Sequence, residues 1–214
     1  GRKSMKPKID YTLYLVTDRN LMFSPTIEDL VEQAIKGGCT LIQLREKDSS
    51  SLEFYEMALR VREVTNQLDI PLIINDRVDI AIAVNADGVH IGQNDLPIDA
   101  VRNIIGYDKI IGVSASNLSE ALNAQRGGAD YLGIGAMFAT DTKSDANLTS
   151  FDELQKIREA ISLPLVVIGG INRTTAPLFH GSGVDGLAVV SAIAAREDVC
   201  GAARELKQLF LKGR

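Results

Sequence analysis

The chain has 214 residues, of which 45% are hydrophobic and 24% charged, with a formal net charge of −5. That is enough apolar material for one sizeable core, and the acidic balance excludes a general nucleic-acid or anionic-membrane surface while leaving room for a local positive pocket. Cys39 and Cys200 form neither a CxxC pair nor a Cys/His metal spacing, and no apolar run approaches the ~20 residues that span a bilayer, so a cytoplasmic protein with small-molecule partners is expected.

Residues 1–10 read as an N-terminal tail, in part an expression scar, ahead of one domain over 11–214. Apolar runs rich in β-branched residues at 11–17, 72–75, 110–115 and 165–169 predict strands 1, 3, 5 and 7. The even strands announce themselves by a repeated phrase. Gly37-Gly38-Cys39-Thr40, Asn85-Ala86-Asp87-Gly88, Gly127-Gly128-Ala129-Asp130 and Ser182-Gly183-Val184-Asp185 each lead from a helix end through a small-residue turn into an apolar run. Asp87, Asp130 and Asp185 are read there as turn residues. Helical periodicity fills the gaps at 27–36, 52–68, 118–126, 151–160 and 202–211. Eight strand–helix alternations without a long linker predict an α/β fold, a single (β/α)₈ TIM barrel.

In that fold the chemistry sits at the C-terminal ends of the strands. Thr17-Asp18, Gln43-Leu44-Arg45-Glu46-Lys47, Asn75-Asp76, Gln93-Asn94-Asp95, Ser114 with Ser116, and Thr140-Asp141-Thr142-Lys143 then converge on one mouth. Charges of both signs at the ends of buried strands are costly to gather unless a charged ligand lies between them. Asp76 and Asp95 suit a hard cation such as Mg²⁺, which takes one or two protein carboxylates and completes its shell with water and phosphate oxygens, while Arg45 and Lys47 suit the phosphate itself. Gly169-Gly170 after strand 7 and Val190-Ser191 after strand 8 suit a phosphate held on backbone N–H groups. A metal–cation corner beside a neutral phosphate cup fits two phosphorylated substrates and displacement of diphosphate.

These motifs, in order from about residue 11 to 211, resemble those of the thiamine-phosphate synthase family: Leu13-Tyr14-Leu15-Val16-Thr17-Asp18, Gln43-Leu44-Arg45-Glu46-Lys47, Ile74-Asn75-Asp76-Arg77, His90-Ile91-Gly92-Gln93-Asn94-Asp95, Gly112-Val113-Ser114, Thr140-Asp141-Thr142-Lys143, Ile168-Gly169-Gly170-Ile171 and Val190-Ser191-Ala192-Ile193. The resemblance implies a transferase that joins 4-amino-2-methyl-5-(diphosphooxymethyl)pyrimidine to 4-methyl-5-(2-phosphooxyethyl)thiazole with Mg²⁺ as cofactor, and a homodimer. It implies that Gln43, Leu44, Arg45, Glu46, Lys47, Asn75, Ser114 and Lys143 bind the pyrimidine diphosphate, with Ser114, Lys143, Lys47 and Arg45 stabilising the leaving group. It further implies that Thr140, Asp141, Thr142, Gly170, Val190 and Ser191 bind the thiazole phosphate and that Asp76 and Asp95 bind the metal.

The chain departs from the family pattern around strand 6, with Ala136 and Ala139 where prolines are usual, and carries Ser116 where a His is common and Ser150 near a usual Gly. The alternatives on the same motifs are a thiazole tautomerase of the same fold or a non-catalytic thiamine-phosphate-binding module. His90 is expected to be packed within strand 4, His180 to lie at the surface late in a helix, and Glu46 to hold Arg45 or Lys47 as an ion-pair partner.

Overall fold

The computed structural model describes residues 5–140 and 147–214. Eight parallel strands, β1 Leu13–Val16, β2 Leu41–Leu44, β3 Leu72–Asn75, β4 Gly88–Ile91, β5 Ile110–Ala115, β6 Tyr131–Ile134, β7 Leu165–Val167 and β8 Gly186–Val189, close into a barrel in sequential order. The helices α1 Ile27–Gly37, α2 Ser51–Gln67, α3 Val78–Ala83, α4 Ile98–Ile105, α5 Leu118–Gly127, α6 Phe151–Ala160, α7 Ser191–Ala194 and α8 Val199–Lys212 cover it. The seventh unit has a 3₁₀ turn, Ala176–Phe179, in place of a full helix, so exposed His180 follows a turn rather than ending a helix. The last helix begins at Val199, earlier than its periodicity suggests, because the Asp198 side chain accepts from the Gly201 N–H and caps it.

Strand residues alternate between two cores. Ile42, Leu44, Ile74, Val89 and their equivalents face the helices, whereas Tyr14, Leu41, Ile73, Tyr131, Val166 and Ala188 face the barrel axis. The same period corrects one expectation: Leu44, fully buried under the helix layer, turns its side chain away from the mouth. Gly112 has no side chain because none fits, since a carbon there would overlap the Tyr131 ring that lies across the barrel from the next strand.

The opposite rim corrects the reading of the repeated aspartates. Thr40, Asp87, Asp130 and Asp185 each take a backbone N–H at the start of the preceding odd strand, from Leu13 (3.0 Å), Leu72 (2.7 Å), Ile111 (2.8 Å) and Leu165 (2.9 Å). The three carboxylates are also paired with arginines from the helix before that odd strand, Arg62 to Asp87, Arg102 to Asp130 and Arg158 to Asp185. The Gly-rich turns are left-handed helix caps at Gly38 (φ 118°) and Gly128 (φ 97°), while ahead of β4 the positive φ falls on Asn85 (51°).

Arg102 is the most deeply placed of these arginines, 9% exposed, and it also donates to the carbonyls of Gly106, Lys109 and Gly128. Removing its carboxylate leaves a buried charge without its partner, a loss of about 3–5 kcal/mol. Asp130→Ala should therefore lower the urea midpoint well below that of Asp185→Ala, whose arginine and carboxylate are both more exposed. Equal losses for the two variants would show that the Arg102 cluster carries no special weight.

Candidate active site

The C-terminal mouth holds two adjoining cavities of about 250 Å³ each. The first lies over β7, β8 and β1 and is lined by Thr140, Gly169, Gly170, Asn172, Val190 and Ser191, with Asp18 at its edge. The second lies over β2 to β5 and is lined by Gln43, Lys47, Asn75, His90, Asp95 and Ser114. Arg45 lines both, along with Val16, Ala136, Ile168 and Ala188. Gln43, Lys47, Asn75, Asp95 and Ser114 are thus brought to one compartment, Thr140, Gly170, Val190 and Ser191 to the other, and Arg45 to both. Asp141, Thr142 and Lys143 lie outside the described residues.

The first cavity is shaped largely by backbone. Gly169 and Gly170 have φ of 96° and 69°, and a side chain on either would press on Ala136 or Phe138. Val190 precedes α7 without any side-chain cap, so the leading N–H groups of that helix have neither an intrahelical acceptor nor a capping oxygen. Such a cup takes an anion through amide dipoles rather than through charge.

In the second cavity the charges are fixed. Arg45 and Lys47 are exposed, and among the described residues neither is in an ion pair. Glu46 does not serve them: its carboxylate, 6% exposed, is held by Arg19 (2.8 and 2.9 Å) and Ser49 (2.8 Å), which corrects its expected pairing. Alternation along the strand end sends it outward while Arg45 and Lys47 turn in.

Asp95 is locked by a tight turn in which its Oδ2 accepts from the Gly92 N–H at 2.7 Å. Asp76 follows β3 with φ 65°, a left-handed conformation that is strained for a side chain and is found at functional positions more than elsewhere. Burial raises the Asp76 carboxyl above its ordinary range, and a hydrogen bond to Asp95 and the like charge of that residue raise it further, against the pull of Lys47 and Arg77. Two carboxylates pressed together in this way could hold a hard cation. Among the described residues no group of three or more His, Cys, Asp or Glu that could hold a metal ion forms.

Beneath the second cavity lies a polar arrangement that residue type alone does not mark as a site. Asn75, Gln43, Tyr14, Tyr131, His90 and Ser114 form an unbroken line of hydrogen bonds through the barrel interior, each link 2.6–2.9 Å. Burial holds both phenols protonated, with their pKa values well above the usual value, and lowers His90 to about 4, so its ring is neutral. The signal in the sequence is that two tyrosines occupy inward strand positions, where a buried hydroxyl needs a partner.

A closed eight-stranded barrel with a polar, doubly hollowed C-terminal mouth defines a barrel enzyme of the phosphate-handling kind. The model of the family described as thiamine monophosphate synthase matches residues 13–193. The thiamine-phosphate synthase of Clostridium beijerinckii is 63% identical over 208 residues, 97% of this chain and 100% of that one. That of Clostridium botulinum is 60% identical over 97% of this chain and 98% of its own. The solved structure of thiamine phosphate pyrophosphorylase from Pyrococcus furiosus superposes with a TM-score of 0.88 at 41% identity, covering 95% of this chain and 97% of that one. The chain belongs to the thiamine monophosphate synthase family. The tautomerase and binding-module alternatives find no support in these matches.

The cup over β7 is testable without substrate. Gly170→Ala places a side chain at φ 69° against Phe138, so it should lower stability by about 1–2 kcal/mol in urea unfolding from backbone strain alone. An unchanged midpoint would show that this turn relaxes freely.

Proposed function

We propose that the two compartments of the mouth divide the two substrates, the pyrimidine diphosphate entering the second cavity and the thiazole phosphate the first. The activity is thiamine-phosphate synthesis, at one with the synthases that match nearly the whole chain. The observation that carries the division is Arg45, an exposed cation without an ion pair among the described residues, which lines both cavities and so faces the place where two substrates meet.

When the thiazole nitrogen replaces diphosphate at the benzylic-type carbon of the pyrimidine, negative charge gathers on the leaving group and the carbon becomes cation-like. Catalysis then rests on groups that hold the diphosphate more tightly as it departs. Arg45 and Lys47 supply fixed positive charge, and the Ser114 hydroxyl supplies a hydrogen bond. Asp76 and Asp95 would hold Mg²⁺, which supplies charge to the diphosphate oxygens when bound. The attacking nitrogen has no proton to lose, so no general base is required. Neutral His90, engaged at both ring nitrogens, is not one.

Gly170, Val190 and Ser191 hold the thiazole phosphate at the other end, remote from the bond being made, with Thr140 at the cavity wall. Lys143, Thr142 and Asp141 join the site on the family resemblance alone. A cytoplasmic, homodimeric enzyme completes the reading, supported by the family; among the described residues no helix is long and apolar enough to cross a membrane.

Diphosphate release from the pyrimidine substrate should depend on both the thiazole phosphate and Mg²⁺, and release that ignores the thiazole would reject the proposed transfer. Asp76→Asn or Asp95→Asn should lower turnover by ~10²-fold or more with the fold intact by circular dichroism, since leaving-group stabilisation worth several kcal/mol is lost. Full activity in excess chelator would remove the metal from the scheme. Ser191→Ala should raise the Michaelis constant for the thiazole phosphate and spare the chemical step. A change confined to the pyrimidine substrate would reverse the assignment of the two cavities.

A further inference from the structure

Three groups of the buried line, Tyr14, Tyr131 and His90, take part in no step above. Their hydrogen bonds nevertheless have a direction. The Asn75 amide nitrogen donates to the Gln43 carbonyl oxygen at 2.9 Å, and the Gln43 nitrogen donates to the Tyr14 hydroxyl at 2.9 Å. Tyr14 accepts from Gln43, and its one buried proton has no acceptor in the line except the Tyr131 oxygen at 2.6 Å, so Tyr14 donates there. Tyr131 must then donate to His90 Nδ1 at 2.9 Å. A neutral imidazole that accepts at Nδ1 carries its proton on Nε2, which donates to Ser114 Oγ at 2.7 Å. The Ser114 proton has no place left in the line.

We infer that this line runs in a single sense from Asn75 to Ser114, which makes Tyr14, Tyr131 and His90 positioning residues that keep the Ser114 hydroxyl a donor aimed into the second cavity. The inference rests on the reading that this cavity takes the diphosphate. The opposite sense needs either both amides turned over and every hydroxyl reversed together, or a Tyr14 proton buried without an acceptor. It would spend the Ser114 proton on His90 and present an oxygen lone pair to an anion. Burial enforces the coupling between links: Tyr14 and Tyr131 are 1% and 0% exposed, and among the described residues no buried side-chain nitrogen or oxygen lacks a partner. A donor prepared before the diphosphate departs costs no reorganisation at the moment of reaction.

The chain has two histidines, so ¹⁵N-histidine NMR of the wild-type protein reads His90 directly once His180→Gln has assigned the other. The expected result is the Nε2–H tautomer; an Nδ1–H tautomer overturns the inference without any variant of the line. The second arm is a single-turnover cycle with Tyr131→Phe and Ser114→Ala. Tyr131→Phe should slow the chemical step roughly 10-fold, with little change in the dissociation constant for the pyrimidine diphosphate, and should add less than about 2-fold once Ser114 is already Ala, as coupled neighbours do. Multiplying effects mean that Tyr131 acts on something other than Ser114, and the inference fails while the substrate reading stands. A Ser114→Ala enzyme as fast as wild type instead removes the donor role from the substrate reading, and the inference falls with it. Should Tyr131→Phe not fold, His90→Gln takes its place in the cycle: it keeps an N–H near the Nε2 position and should retain more of the chemical rate than His90→Asn, and equal losses would overturn the inference.

Discussion

Closing eight short parallel strands into a ring forces every second residue inward, where there is room for side chains and none for bulk water. Everything at the mouth depends on how that interior is filled. Most of it is apolar, but the layer below the second cavity is built from an amide, two phenols and an imidazole, and a polar group placed there is tolerated only with a partner. The result is a floor whose donors and acceptors are fixed before any ligand arrives. Gly112 is the condition for this arrangement, because the Tyr131 ring occupies the space that a side chain there would take.

The two halves of the mouth use different means to meet an anion. Over β7 and β8 it is the backbone, shaped by positive-φ glycines and an uncapped helix start, which suits a phosphate that is held and not transformed. Over β2 to β5 it is fixed charge and an acidic pair, which suits a group whose charge changes during reaction. Arg45 stands where they meet, unpaired among the described residues, whereas its neighbour Glu46 is neutralised by Arg19 on the outer side. Adjacent residues on one strand end therefore have opposite fates.

Much of this was legible in the sequence. Apolar runs and small-residue turns gave the strands and their order, and the charged residues at strand ends gave the mouth, because both follow from local pattern. What escaped depends on tertiary placement. Asp87, Asp130 and Asp185 look like turn residues until the neighbouring strand's N–H and the arginine behind it are seen. Tyr14 and Tyr131 read as ordinary strand aromatics because their hydroxyls meet across the barrel, 117 residues apart in the chain. Leu44 was carried into the substrate set by its neighbours, yet the two-residue period of a strand sends it to the helix layer.

The rim opposite the mouth divides the barrel in a way that its eightfold outline hides. Thr40 ties β2 to β1, Asp87 ties β4 to β3, Asp130 ties β6 to β5 and Asp185 ties β8 to β7 through a strand N–H, and between these pairs Lys109 reaches from the start of β5 to the Asn85 side chain and the Ala86 carbonyl ahead of β4. The last three pairs also carry an arginine from the helix that leads into them. The N–H ties thus group the strands in pairs, and the seams between pairs lie at β2/β3, β4/β5, β6/β7 and β8/β1. Two of those seams, β2/β3 and β4/β5, run up into the second cavity, where Gln43 to Asn75 and His90 to Ser114 bridge them from the other end. Side chains that line the second cavity thus double as stitches across the joints between pairs.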